Sequence, residues 1–225
     1  MGCVLLDLLL PRRCACCALP GVELCAACLQ LLPRVRPPLC ARCGAPTQWP
    51  VRRCRECSGR RLGFATARAA VEYDERVRKL VAAWKEYALR RLASFAVALV
   101  AEAIPRPPAE AVVSFVPPDP DRGLKRGHHP AAALAAGLGA AWELPAVPLL
   151  ERPRAAPPQR GLELPARRRN VRGAFASCRA PPARVVLVDD VYTTGATASE
   201  AARTLLRAGA RHVDVVTFAR TVRRG

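Results

Sequence analysis

The chain has 225 residues, of which 51% are hydrophobic and 5% aromatic, and its formal net charge is +18. This length allows one sizeable core with a small appendage, and the composition excludes a disordered or membrane-embedded chain. The basic excess is almost entirely arginine, which fits either a compositional bias of the whole chain or a polyanionic partner such as nucleic acid or a phosphorylated metabolite.

The first residues form a short apolar run that is interrupted by Asp7. The run lacks the basic leading region and the small-residue cleavage site of a signal peptide. Like every other apolar run in the chain, it is too short to cross a bilayer. We therefore expect a cytoplasmic protein without membrane insertion.

Ten of the eleven cysteines precede residue 58, and eight of them form four Cys-x-x-Cys pairs. Two residues between thiolates allow a tight turn to aim both sulfurs at one tetrahedral ion, so two pairs complete a closed site. Disulfides fit poorly with a reducing cytoplasm, and redox activity explains one such pair better than four in succession. The eight expected metal ligands are Cys14, Cys17, Cys25, Cys28, Cys40, Cys43, Cys54 and Cys57.

Four pairs predict two zinc ions or ions of another thiophilic metal, which are structural because a four-cysteine site has no open position. We expect the first two pairs on one ion and the last two on the other, although an interleaved arrangement stays open. Residues 1–62 would then be a double zinc-ribbon module in which metal replaces a core, and residues 63–225 a second domain. The remaining Cys3, Cys16 and Cys178 are expected to be small buried hydrophobes.

The middle of the chain carries the first predicted elements of the second domain. Apolar residues at helical spacing predict an amphipathic helix from Tyr73 to about Ala103, halted by Pro105. Further predicted elements are a buried strand at 111–116, a helix at 131–142, a strand from Ala146, and a long loop rich in arginine and proline at 153–182.

The last part of the chain predicts a strand, a helix and a strand. The first strand begins at Arg184, the helix runs to about Ala208 before Gly209, and the last strand begins at His212. Apolar strands that alternate with helices are typical of a parallel α/β sheet with helices on both faces.

The stretch VVLVDDVYTTGAT, residues 185–197, joins an apolar strand to a helix. Asp189 and Asp190 lie at the carboxyl end of the strand, where open parallel sheets bind ligands. The loop after them offers backbone N–H groups near a helix N-terminus, which favours an anion, and Gly195 permits close approach. A phosphate suits this loop, whereas sugar hydroxyls or magnesium suit the two carboxylates.

These thirteen residues resemble the phosphoribosyl-pyrophosphate (PRPP) signature of type I phosphoribosyltransferases. The resemblance implies that Asp189 and Asp190 contact the ribose hydroxyls and that the loop cradles the 5′-phosphate. The implied loop residues are Thr193, Thr194, Gly195, Ala196 and Thr197.

The segment LLDLLLPRRCACC, the cysteine pairs, VRKLVAAWKEYAL and the signature together resemble the ComF family. Its members are double-zinc-ribbon, phosphoribosyltransferase-like proteins, and some take part in DNA uptake during natural transformation. The resemblance implies a type I phosphoribosyltransferase-like sheet, PRPP binding with magnesium, and single-stranded DNA or the DNA-uptake machinery as a partner. It also implies that Lys85 acts with Asp189 and Asp190 in catalysis. A further family-like segment contains Gln159, Leu162, Arg167, Asn170 and Phe175.

The sequence departs from the family pattern in two places. The family's Arg-Gly-Phe-Asn-Gln run reads RGHHP here, residues 126–130, and Ala156 to Pro158 replace a threonine-containing segment. Both departures fall on segments expected to face the pyrophosphate or the acceptor. By fold position, the loop after the first predicted strand would bind pyrophosphate, and solvated surface charge is the alternative for its arginines. The candidates are Asp119, Arg122, Lys125 and Arg126.

Two hypotheses about function follow from the sequence. A transferase would displace pyrophosphate from ribose C1′ by a nitrogen nucleophile, with magnesium neutralising the leaving group. A non-catalytic protein would instead use the same fold as a PRPP sensor or as a scaffold associated with single-stranded DNA. The intact signature favours the first hypothesis, and the zinc ribbons with the basic charge favour the second.

Overall fold

The computed structural model describes residues 12–86, 91–118, 129–153 and 173–222. The strands are β1 (Thr66–Glu72), β2 (Val112–Phe115), β3 (Leu150–Glu151), β4 (Ala176–Ser177), β5 (Arg184–Tyr192) and β6 (His212–Arg220). Four of them form a parallel sheet in the order β1-β6-β5-β2, and β3 pairs with β4 in antiparallel fashion.

Helices cover both faces of this sheet. They are α1 (Ala26–Gln30), α2 (Glu75–Glu86), α3 (Leu92–Ala103), α4 (Pro130–Trp142) and α5 (Ala196–Arg207). Side chains of α2, α3 and α4 pack with the core on one face, and side chains of α5 pack with the core on the other. The predicted α/β fold, a parallel sheet flanked by helices with a small cysteine-rich module before it, is confirmed.

The central strand β5 shows why the chain contains the run VVLV. Val186 and Val188 are buried in the core cluster on the α3 and α4 side, whereas Val185 and Leu187 are buried against α5. Since successive side chains of a strand point to opposite faces, a strand covered on both faces needs an uninterrupted apolar run.

The helix predicted from Tyr73 to about Ala103 is found as α2 and α3, with residues 87–90 outside the described ranges. It begins at Glu75 because Asp74 caps it, as the Oδ1 of Asp74 accepts a hydrogen bond from the Val77 N–H at 2.8 Å. Tyr73 instead donates its backbone N–H to the carbonyl of Arg220 at 2.6 Å.

Strand β1, which the sequence pattern did not predict, lies at the edge of the sheet. Its sequence TARAAVE is short of β-branched and aromatic residues. The edge is covered by the polypeptide that joins the two cysteine clusters and by the start of the second cluster. Val35 N–H donates to Ala70 O at 2.9 Å, and Ala67 N–H donates to Arg42 O at 2.9 Å. The zinc-ribbon module therefore protects the backbone groups that an exposed edge strand would leave unpaired.

Two other predictions are only partly matched by the described residues. The strand predicted from Ala146 makes a single parallel bridge with Val113, and regular pairing begins at Leu150. The loop predicted at 153–182 contains β4, and its residues 154–172 lie outside the described ranges. None of the helices within the described ranges has the length and apolar character needed to cross a membrane.

Candidate phosphate-binding site and zinc ribbons

The eight paired cysteines form two groups of four. Cys14, Cys17, Cys25 and Cys28 make the first tetrad, and Cys40, Cys43, Cys54 and Cys57 make the second, with the sulfurs of each tetrad within 4.8 Å of one another. Sulfur pairs lie 3.7 Å apart in the first tetrad and 3.4 and 3.6 Å apart in the second. A tetrahedral ion with bonds of about 2.3 Å holds its ligands roughly 3.8 Å apart. The two tetrads therefore fit two zinc ions, grouped in sequence order.

The protein stabilises thiolate at one cysteine of each tetrad. Burial raises the pKa of Cys14 and Cys40, but backbone N–H groups hydrogen-bonded to their sulfurs outweigh burial and lower these pKa values to about 6 and about 7. Burial raises the pKa of Cys28 and Cys43, and the hydrogen bonds that their S–H groups donate to neighbouring cysteine sulfurs raise it further. A bound divalent cation offsets the free-energy cost of ionising these buried thiols, because it deprotonates the thiols that it binds.

The cysteines outside the tetrads differ from the prediction that they are buried. Cys178 is exposed and Cys16 is half-buried, while Cys3 lies outside the described residues. Cys178 follows the short strand β4, where its Sγ donates to the carbonyl of Pro148 at 3.4 Å.

The two aspartates of the predicted signature lie at the carboxyl end of β5, beside a lysine from α2. The Oδ2 of Asp190 is 2.5 Å from the Nζ of Lys85, which lies in the last turn of α2. The backbone N–H of Asp190 donates to the Oδ1 of Asp189 at 2.9 Å. Burial, together with the charge of Asp190, raises the pKa of Asp189 to about 7. Asp190 is thus ion-paired with Lys85, whereas Asp189 takes up a proton near neutral pH.

The loop between β5 and α5 turns at Gly195, whose φ is +70°. A Cβ added there would clash with the hydroxyl of Tyr192, so both the backbone angle and the available space require glycine. Within the described ranges, the backbone N–H groups of Thr194 and Gly195 have no protein acceptor. The loop therefore offers amide donors at the N-terminus of a helix, the arrangement that binds anions.

Side chains from outside the loop bind its carbonyl groups. Arg60, which follows the second tetrad, donates from Nη2 to the carbonyl of Thr194 at 2.7 Å. Thr221, which follows β6, donates from Oγ1 to the carbonyl of Thr193 at 3.0 Å. Sequence reasoning missed both residues, because neither belongs to a motif.

Arg220 is the second feature that sequence reasoning missed. It ends β6 opposite Tyr192 of β5 and is only 1% exposed. Its Nη1 donates to the carbonyl of Cys43 at 2.6 Å, its Nη2 lies 3.0 Å from the Oε2 of Glu56, and its guanidinium stands 5.3 Å from the centre of the Tyr192 ring. The sequence places Arg220 at the end of the predicted strand next to β5, but an arginine at that position is as readily an exposed surface residue. Nothing in the sequence therefore indicated that Arg220 would be buried.

The structure brings Lys85, Asp189, Asp190 and the loop of residues 193–197 to one edge of the sheet. The ligand roles predicted for them stay predictions. The candidate pyrophosphate residues Asp119, Arg122, Lys125 and Arg126 lie outside the described ranges, as do Gln159, Leu162, Arg167 and Asn170.

His129 and Pro130, where the sequence departs from the family pattern, form the start of α4. The Nδ1 of His129 accepts a hydrogen bond from the Ala132 N–H at 3.0 Å, and Pro130 is the first residue of the helix. A side-chain acceptor before the helix and a proline at its first position are both favourable there. This part of the departure therefore has a structural function.

Comparison with known proteins gives matches to both parts of the chain. A family model described as a double zinc ribbon domain matches residues 5–58. The chain is 30% identical to a protein named DNA utilization protein YhgH from Salmonella typhi, over 96% of this chain and 100% of the relative, and equally identical to its counterpart from Salmonella typhimurium. It is 28% identical to a protein named Competence protein F from Haemophilus influenzae, over 81% of this chain and 85% of the relative.

Proposed function

The chain belongs to the ComF family, and from this premise we propose that it binds PRPP, with magnesium, in the service of DNA uptake. The observation that supports PRPP binding most directly is the loop of residues 193–197, whose free amide groups stand beside two carboxylates at the end of β5. A phosphate needs the first feature and a polyhydroxylated sugar needs the second. The names of the relatives support the link to DNA uptake.

Each part of the site has a distinct task in this proposal. The N–H groups of Thr194 and Gly195 donate to the 5′-phosphate, and the carboxylates of Asp189 and Asp190 accept hydrogen bonds from the ribose hydroxyls. Lys85 holds Asp190 in place through their ion pair. Carboxylate oxygens are also the ligands that magnesium prefers, and this ion would supply positive charge to the pyrophosphate.

If the site turns over, one bond is exchanged at ribose C1′. The bond from C1′ to the pyrophosphate oxygen breaks, and its electron pair leaves on pyrophosphate. A bond from C1′ to the nitrogen of the acceptor forms, and that nitrogen loses a proton. The protein contributes position and charge stabilisation to this step.

Calorimetric titration with PRPP, with and without magnesium, tests the proposal. We expect binding by the wild type and a loss of about tenfold or more in Asp190→Asn, because the hydroxyl acceptor loses its charge. Glu151→Gln, which removes the same charge from an exposed position on β3, should bind like the wild type. A wild type that does not bind PRPP contradicts the proposal.

A screen for pyrophosphate release over bases and amines separates the two forms of the proposal. Release with any acceptor identifies a phosphoribosyltransferase. Binding of PRPP without release for every acceptor favours a PRPP sensor or scaffold.

One surface feature favours a second function, association with single-stranded DNA. Trp49, in the second zinc ribbon, is 64% exposed. Exposed Arg52, Arg53 and Arg55 follow it in the same ribbon. An aromatic side chain for base stacking beside cations for phosphates is the combination that binds single strands with little sequence preference.

Binding of a short fluorescent oligothymidylate at several salt concentrations tests this second function. Each neutralised phosphate should contribute a log–log slope of about −0.7, and Trp49→Ala should weaken binding by about tenfold through lost stacking. Leu31→Ala removes a comparably exposed apolar side chain from the first ribbon and should change nothing. A salt-independent affinity contradicts DNA binding.

A further inference from the structure

We propose that the second zinc ribbon is part of the phosphate site, and that Arg60, Arg220 and Thr221 are positioning residues that set the loop of residues 193–197 for its anion. These three residues are called the loop clamp below. The inference rests on the proposed function, since it explains how the phosphate loop is held.

The first step concerns the direction of the loop amides. In a trans peptide, the carbonyl of one residue and the N–H of the next point in opposite directions. Arg60 binds the carbonyl of Thr194 at 2.7 Å, so the N–H of Gly195 points away from Arg60. Thr221 binds the carbonyl of Thr193 at 3.0 Å, so the N–H of Thr194 is fixed in the same way. The clamp thus fixes two of the peptide planes in this loop whose amide groups lack a protein acceptor among the described residues.

The second step connects the clamp to the second tetrad. The guanidinium of Arg60 also donates to the carbonyl of Glu56 at 3.4 Å, and the backbone N–H of Arg60 donates to the carbonyl of Cys57 at 3.2 Å. Arg60 therefore bridges the last Cys-x-x-Cys turn and the phosphate loop. The metal that this turn binds fixes the turn's conformation. The position of Arg60, and through it the position of the Thr194 carbonyl, therefore depends on the metal-bound turn.

The third step is the support beneath the loop. Arg220 is bound by the carbonyl of Cys43 and by the carboxylate of Glu56, so both halves of the second tetrad hold it. Its guanidinium lies over Tyr192, whose hydroxyl in turn lies against Gly195. A charged side chain that is 1% exposed needs all of these partners to offset its desolvation. Arg220 thus connects the second zinc ribbon to Tyr192, the side chain that packs against Gly195 of the loop.

The first tetrad is an internal control, because it makes none of these contacts. Cys14, Cys25 and Cys28 pack in the core cluster that contains Leu80 and Trp84 of α2. In the described part of the chain, the side chains that hydrogen-bond to the loop carbonyls come from Arg60 and Thr221 alone.

The first test is the affinity of the full, zinc-loaded chain for PRPP. Arg60→Ala should weaken binding by about tenfold, the effect of one hydrogen bond that involves a charged donor. Arg60→Lys, which keeps the charge and one donor, should recover part of the loss. Arg61→Ala removes the same charge from the next, exposed position and should bind like the wild type. The zinc content should be unchanged in all three variants, which shows that the ribbon still binds its metal.

The second test uses reciprocity. If the metal-loaded ribbon favours PRPP binding, PRPP must stabilise metal in that ribbon by the same factor. In equilibrium competition against a chelator, followed with a metallochromic indicator, the zinc affinity of the second tetrad should rise several-fold when PRPP is present. The zinc affinity of the first tetrad should be the same with and without PRPP. Cys17→Ser, at the exposed ligand of the first tetrad, identifies the part of the titration that belongs to that site.

The outcomes separate the inference from the proposed function. No PRPP binding by the wild type overturns both. Normal binding by the wild type together with equal affinity of Arg60→Ala overturns the clamp alone, as does a zinc affinity that PRPP raises equally in both tetrads. Weaker binding by Arg60→Ala, with Arg61→Ala unaffected and a higher zinc affinity of the second tetrad alone in the presence of PRPP, supports it.

Discussion

The ion pair between Lys85 and Asp190 joins residues that are far apart in the chain, and it changes the chemistry of the acid beside it. Burial and the charge of Asp190 raise the pKa of Asp189, and the positive charge of Lys85 lowers it by a smaller amount. The resulting pKa is about 7. An ionised carboxylate is the better acceptor for a sugar hydroxyl. The proposed ribose contact therefore depends on how much of Asp189 is ionised near neutral pH.

Lys85→Met should make PRPP binding more dependent on pH. The substitution removes the nearby positive charge, so the pKa of Asp189 rises above its value in the wild type. At pH 7 the affinity should fall severalfold as the ionised fraction of Asp189 decreases, and it should partly recover at pH 9. Calorimetric titration at both pH values measures this, with Lys79→Met, at an exposed position of the same helix, as the control. Equal losses at pH 7 and pH 9 would contradict the role assigned to Lys85.

Asp189→Asn should stabilise the ligand-free fold above pH 7. The pKa of Asp189 is raised on folding from 3.8 to about 7, so the native state binds a proton that the unfolded state has lost. The stability of the wild type therefore falls as pH rises from about 4 to 7. Asparagine carries no charge to desolvate, so it loses no stability as pH rises, and its side-chain oxygen can still accept a hydrogen bond from the Asp190 N–H. The expected gain is about 2 kcal/mol, half the value for a fully buried carboxylate, because Asp189 is partly exposed.

Urea unfolding of wild type and Asp189→Asn at pH 4.5 and pH 8 measures this difference. The free energies of unfolding should be close at pH 4.5 and separate at pH 8. A variant that is less stable than the wild type at pH 8 would show that the carboxylate is ionised at little cost in the fold.

Strands and helices differ in how far the sequence predicted them. β5 and α5 were predicted because VVLV is an uninterrupted apolar run, which a strand buried on both faces requires, and because the loop with Gly195 follows it. β1 was missed because its stability comes from β6 and from the ribbon polypeptide that covers its edge, and its own residues carry little β propensity. The signature likewise predicted which acids would lie at the edge of the sheet. The partners of the loop were not predictable, because Arg60 and Arg220 reach it only through the folded arrangement of distant segments.

The turn between β5 and α5 gives a prediction with a matched control. Gly195 and Gly209 both have positive φ, but only Gly195 has a neighbour, Tyr192, in the space of an added Cβ. Gly195→Ala should cost about 1–2 kcal/mol from the backbone angle and more from the clash, and it should abolish binding of PRPP. Gly209→Ala should show the backbone cost alone and bind PRPP normally. Similar melting temperatures for the two variants would mean that Tyr192 moves aside without cost.

At the scale of the whole molecule, the two zinc ribbons have different mechanical roles. Three cysteines of the first tetrad belong to the large core cluster with side chains of α2, α3 and α4. The second tetrad packs in a small cluster of its own with Ala45, and it meets the sheet domain through polar contacts such as those of Arg220. Metal in the first ribbon therefore supports the main core, and metal in the second ribbon supports the edge of the sheet that carries the phosphate loop.

Removing one ligand from each tetrad should give two different defects. Cys17→Ser and Cys54→Ser should each reduce the zinc content from two ions to one. Because the first tetrad is continuous with the main core, Cys17→Ser should lower the melting temperature of the entire chain in a single transition, with a loss of several kcal/mol. Cys54→Ser should leave most of that transition in place, while it weakens PRPP binding through the loop that Arg60 and Arg220 hold. Calorimetric melting and PRPP titration on both variants measure the difference. Equal melting temperatures with equal affinities would show that the two ribbons contribute alike, and would remove the distinction drawn from their packing.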